Sequence, residues 1–154
     1  MKMCFVKTKK ALLAFMVVLS LLTCAFGEEA EEELLLARLP GEYTEGYIEL
    51  SAPDALDLLG LEEDDYSEIL YFESEDGYSA QCIFALRGVN EAACENALLA
   101  LEAYREAFMQ QVRTYSPENY QLLSQAVVSH RGDIVVMVAG EHARVLAGLL
   151  LGGE

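Results

Sequence analysis

The chain has 154 residues, 53% of them hydrophobic, enough apolar material for one domain with its own core. All 26 acids lie at or after Glu28, against six arginines and no lysine in the same stretch, so residues 28–154 carry a formal charge of −20. A field of that sign repels phosphate backbones and anionic lipid headgroups, which excludes nucleic acid as an expected partner.

The first ten residues, MKMCFVKTKK, hold four lysines and no acid, and residues 11–26 hold no charge. A basic start followed by an apolar run reads as an export signal over residues 1–27. The run is shorter than the ~18–20 residues of a membrane span. Two ways of processing it stand side by side. Leu21-Leu22-Thr23-Cys24 has the leucine of a lipoprotein signal three residues before the cysteine, although Thr23 is bulkier than the small residue usual before it. Ala25-Phe26-Gly27 has the small residues of an ordinary cut after Gly27. A lipid on Cys24 would hold the protein at the outer face of the cytoplasmic membrane; the other cut would release it. Residues 28–40 open with EEAEEE and read as an acidic tether ending at Pro40-Gly41. The intervening leucines could dock on the domain as a short helix or a strand.

The domain proper is expected over residues 41–151. Residues 46–50, GYIEL, suit a short strand. Ser51, Pro53 and Asp54 start a helix that Gly60 ends. Residues 66–74 and 78–87 are rich in aromatic and β-branched residues, and Asp76-Gly77 between them signals a hairpin. In the second strand Ala80, Cys82, Phe84 and Leu86 share the more apolar face. Asn90 caps a long helix to about Arg113, with Ala93, Ala97, Leu101, Tyr104, Phe108 and Val112 on one side. Ser116-Pro117 starts a short helix to about residue 124. Two strands, 125–130 and 133–139, flank Arg131-Gly132, and a last helix follows Gly140-Glu141. The sum is an α+β fold: a single domain with a mainly antiparallel sheet of four or five strands, and a long helix and shorter helices packed on one face.

No catalytic constellation is evident. His130 and His142 are the only histidines, and no zinc spacing, nucleophile elbow, phosphate loop or dinucleotide fingerprint occurs. No cofactor or metal is expected, and the chain is read as a non-enzyme. Arg131-Gly132-Asp133 spells an adhesion tripeptide, but a hairpin turn accounts for Gly132. Export permits a disulfide between Cys82 and Cys94; their apolar surroundings equally suit two buried thiols. Tyr115, Pro117 and Tyr120 offer a recognition segment, since tyrosines with polar tips suit sugars and peptides. Packing at element boundaries accounts for the same tyrosines.

The order of these features resembles a family of small exported bacterial proteins, filed as domain of unknown function forty-three fifty-eight. The likeness runs from about Tyr47 to Leu150. It is carried by Leu59-Gly60-Leu61, Asp65-Tyr66, the strand AQCIFAL, Tyr115-Ser-Pro117-Glu-Asn-Tyr120 and Arg131-Gly132-Asp-Ile-Val-Val. Family members often have an acid near Gln81 and a lysine after that strand, where this chain has Gln81 and Arg87. The resemblance implies export, frequent lipoprotein signals and an α+β fold, and no established activity. It also implies an association with membrane O-acyltransferase systems that modify surface polysaccharide. The expected partners are therefore the membrane, through the N-terminus, and an envelope protein or polysaccharide. The expected roles are a binding or accessory module, participation in polysaccharide modification, or solute or cation binding.

Overall fold

A computed structural model of the chain describes residues 33–153. The expected signal, Cys24 and the start of the acidic tether lie outside the described residues.

Five strands form one antiparallel sheet in the order β1-β2-β3-β5-β4. They are β1 (Tyr47–Glu49), β2 (Tyr66–Ser74), β3 (Cys82–Gly88), β4 (Val127–Arg131) and β5 (Ile134–Ala139). Four α-helices accompany them: α1 (Ala52–Leu59), α2 (Glu91–Val112), α3 (Pro117–Ser124) and α4 (Ala143–Leu150). Strands β3 and β5 are buried along their whole length; β5 is apolar at every position, and β3 is apolar from Cys82 to Leu86 before it reaches Arg87.

Local chemistry explains most helix ends. The Ser51 side chain accepts from Asp54 N–H, Pro53 sits in the first turn, and Gly60 closes α1 in the left-handed conformation at φ 66°. Asn90 Oδ1 accepts from Ala93 N–H at 2.9 Å to start α2, and Ser116 does the same for α3 through Asn119 N–H. The face of α2 that carries Ala93, Ala97, Leu101 and Val112 is buried.

The β2–β3 connection is longer than an Asp-Gly hairpin. It takes in residues 75–81, and β3 begins at Cys82 rather than at residue 78. The reason is a rival set of hydrogen bonds. Asn119 of α3 accepts from Ala80 N–H at 3.0 Å and donates to the Tyr78 carbonyl at 2.7 Å, which takes this backbone out of the ladder.

The sheet is covered on both faces. Tyr71, Cys82, Phe84, Leu86, Val135 and Met137 pack with α1, α2 and α3. Tyr71 stacks on Phe84 with ring centroids 4.1 Å apart, and Tyr104 of α2 meets Phe84 edge-on at 5.4 Å. Leu70, Phe72, Ile83, Ala85, Val136 and Val138 point the other way. They are covered by Ala143, Leu146, Ala147 and Leu150 of α4, and by Leu35 and Leu39 from the chain before β1. The helices expected on one face are thus α1 to α3, and α4 with the N-terminal leucines forms a further layer. A strand apolar at every position, such as β5, exposes apolar side chains on both sides and needs both covered.

The folded unit accordingly begins at Glu33, not at residue 41. Residues 33–39 form a strap rather than tether. Leu35–Arg38 make a 3-10 turn, and Leu35 is fully buried. Leu35 N–H donates to Glu68 Oε1 at 2.6 Å, Arg87 Nη2 donates to the Glu33 carbonyl at 3.0 Å, and Arg38 Nη1 donates to the Leu150 carbonyl at 2.8 Å. Arg87 is itself buried and is paired with Glu68 at 3.4 Å and Asp133 at 3.0 Å. A charge so deep in the protein is tolerated because it is matched and hydrogen-bonded.

Candidate functional site

Two clefts lie at opposite ends of the sheet. The larger, of about 540 Å³, sits at the Gly88 end, between the first turns of α2 and the β4–β5 turn. Val89, Cys94 and Leu98 give it an apolar floor and wall, and Glu91, Glu95, Asp133 and His130 bring polar groups to it. Gly88 makes the close approach possible: a Cβ there would lie 2.6 Å from Cys94 Sγ and 3.1 Å from the Cys94 nitrogen. Val89, on the cleft wall, is 54% exposed.

The Cys94 thiol donates to the Asp133 carbonyl at 3.4 Å. Burial pushes its pKa up, and the carboxylates of Asp133 and Glu91 push the same way. A nucleophilic cysteine needs the opposite shift, so this thiol stays protonated at neutral pH. Burial likewise pushes Cys82 up to about 12. Both cysteines are free, so the bridge between Cys82 and Cys94 does not form. Cys82 opens β3, whereas Cys94 packs on Gly88 at its far end, six residues or ~20 Å along the strand. A disulfide needs Cα atoms within about 7 Å.

The smaller cleft, of about 310 Å³, lies at the Cys82 end. Tyr43, Tyr47, Gln81 and His142 line it together with Glu42, Glu45 and Glu141. Tyr47 Oη donates to Gln81 Oε1 at 3.1 Å, and the Tyr43 ring meets His142 edge-on at 5.3 Å. Burial raises the Tyr47 pKa, so its hydroxyl remains a neutral donor.

The residues singled out from sequence do not converge. His130 and His142 are both exposed and stand on different clefts. Tyr115 is 65% exposed, Pro117 is the first residue of α3, and Tyr120 is half-buried against the main core; none of the three lines either cleft. The adhesion tripeptide is engaged internally: Arg131 Nη1 donates to the Gly152 carbonyl at 3.0 Å, and Asp133 pairs with Arg87. Sequence reasoning missed both clefts. Each is assembled from segments more than 30 residues apart, and the one available signal was Gly88, a glycine between a strand and a capped helix. Among the described residues no group of three or more His, Cys, Asp and Glu side chains could hold a metal ion. No described helix is long and apolar enough to cross a membrane.

The fold and its two end clefts define a small α+β domain with a long helix across a five-stranded antiparallel sheet. Residues 47–140 match the family described as domain of unknown function (DUF4358), and the chain belongs to that family. No curated protein and no solved structure gives a significant match.

Proposed function

We propose that the protein is an exported module of the cell envelope, held at the outer face of the cytoplasmic membrane by a lipid on Cys24, and that it binds a partner rather than catalysing a reaction. The lysine-rich start and the uncharged run over residues 11–26 support export. The observation that carries the binding reading is the larger cleft. It joins an apolar floor to three carboxylates, and its one nucleophile is a buried, protonated thiol. Such a surface suits an apolar segment bearing lysine or arginine on an envelope protein. The sheet faces, both covered, leave that role to the clefts.

A photo-crosslinking residue in place of Val89 in intact cells tests this reading. A discrete adduct is expected, and it should fade when Glu95→Lys reverses the charge beside it. An adduct that ignores the charge reversal, or none at all, would reject the reading. The smaller cleft favours a second reading, polysaccharide handling, because two tyrosines and a glutamine suit hydroxyl-rich ligands. Altered surface-polymer acylation in His142→Ala cells would favour this reading over the first.

A further inference from the structure

The two edges of the sheet are unlike. Edge strand β1 is three residues long, and its Tyr47 N–H is spent on the Thr44 carbonyl at 3.1 Å. Edge strand β4 has five residues in unbroken register with β5, and it carries no proline, lysine or bulge, the devices that usually guard an edge. Its hydrogen-bond phase follows from the strand beyond. Gly88 N–H donates to the Asp133 carbonyl at 2.8 Å, so residues 133, 135 and 137 bond toward β3, and residues 134, 136 and 138 bond toward β4. Their partners in β4 are Arg131, Ser129 and Val127, which leaves Val128 and His130 to direct N–H and C=O away from the sheet. No hydrogen bond among the described residues engages those four groups.

We propose that β4 is the docking edge of the larger cleft: the partner adds an extended segment to the sheet there and lays a lysine or arginine of that segment into the cleft. The proposal rests on the binding reading of that cleft given above. An added strand gains main-chain bonds from Val128 and His130, and its alternate side chains then fall on fixed faces. His130 lies on the α2 side of the sheet and lines the cleft with Glu91 and Glu95. A residue paired with His130 points the same way, its Cβ about 5 Å from that of His130. A basic side chain at that place meets the two carboxylates, which stand one helical turn apart on α2 and repel each other until a cation comes between them. The residue paired with Val128 shares the face and meets the half-buried Val128 side chain, so an apolar residue suits it. A second copy of the chain has the right backbone for the same edge, Val128 against His130, but residues 28–154 carry −20 on each copy, and that charge opposes the pairing.

A seven-residue peptide, acetyl-Thr-Val-Thr-Arg-Thr-Val-Thr-amide, titrated onto the full-length protein tests the strand. Hydrogen exchange of the Val128 and His130 amides should slow about tenfold or more as the peptide saturates. Methylation of the arginine and valine nitrogens, which would face β4, should weaken the peptide about tenfold or more; methylation of the inner threonine nitrogens, which face away, should not. Unslowed exchange at both amides, or equal losses from the two methylation patterns, would overturn strand pairing. A glutamate in place of the arginine should abolish binding, and undiminished affinity would overturn the basic partner. In intact cells the crosslink from position 89 separates this proposal from the reading beneath it. His130→Pro removes one outward N–H without touching the ladder to β5 and should abolish the adduct. An adduct that fades with Glu95→Lys but survives His130→Pro keeps the cleft reading and sinks the added strand; one that ignores Glu95→Lys sinks both. An adduct with the mass of two copies would overturn the assignment of the partner.

Discussion

Replacing Leu35 by alanine is the most direct probe of where the folded unit begins. Leu35 is fully buried among the side chains of the second sheet face, twelve residues before β1 opens the sheet. Burying a leucine is worth about 2–3 kcal/mol in transfer alone. The cavity left by truncation adds to that, and leucine-to-alanine changes in cores cost about 2–5 kcal/mol. The strap lies at one margin of the core and can relax into the gap, so the lower half of that range applies, about 3 kcal/mol. Leu34 and Leu36, 65% and 47% exposed, are internal controls in the same turn. Their truncation should stay within about 0.5 kcal/mol, as at other surface positions. Urea unfolding of residues 28–154 reads all three, with a lower midpoint and an unchanged slope expected for Leu35→Ala. If Leu35→Ala unfolds with the two controls, residues 33–39 are a tether and the folded unit begins after them.

Stability should hold steady through neutral pH and fall as pH rises past about 9. Cys82 is raised to about 12 and Tyr66 to about 12, first of all by burial, and burial also raises Tyr104 and Tyr71. A group whose pKa is higher when folded stabilises below its unfolded value and loses that contribution as pH climbs toward the folded value; thermal melts from pH 7 to 11 would reveal a flat profile if burial of these groups were overstated. Gly88→Ala should cost about 1–3 kcal/mol through the Cys94 contact and narrow the larger cleft, and an unfolding midpoint equal to wild type would show that α2 shifts freely away from β3. Asn119→Ala strands the Ala80 N–H and should cost about 1–3 kcal/mol; fast amide exchange confined to residues 78–81 is the expected local sign, and unchanged protection there would count against the tie.

The elements governed by neighbouring residues were legible in the sequence. Ser51 with Pro53 and Gly60, Asn90, and Ser116 with Pro117 mark helix boundaries that the structure keeps, because a cap is satisfied within four residues. The periodicity of α2 gave its buried face for a similar reason. What escaped was decided between distant segments. Asp76-Gly77 looks like a tight hairpin until Asn119, some forty residues on, claims the Tyr78 and Ala80 backbone. Leu35 follows a run of glutamates and takes its place only because Glu68 and Arg87 stand ready to hold the chain around it. Of the two clefts, the tyrosines Tyr43 and Tyr47 were visible as edge residues, but their convergence with Gln81 and His142 is a product of the strand order.

The bond from Arg38 to the Leu150 carbonyl joins positions 112 residues apart, and it bears on the timing of folding. A chain that emerges from its N-terminus carries Leu35 and Leu39 early, yet the helix that closes over them, α4, arrives only with the last dozen residues. Until then β3 and β5 have one bare apolar face, and non-local closure of this kind is slow.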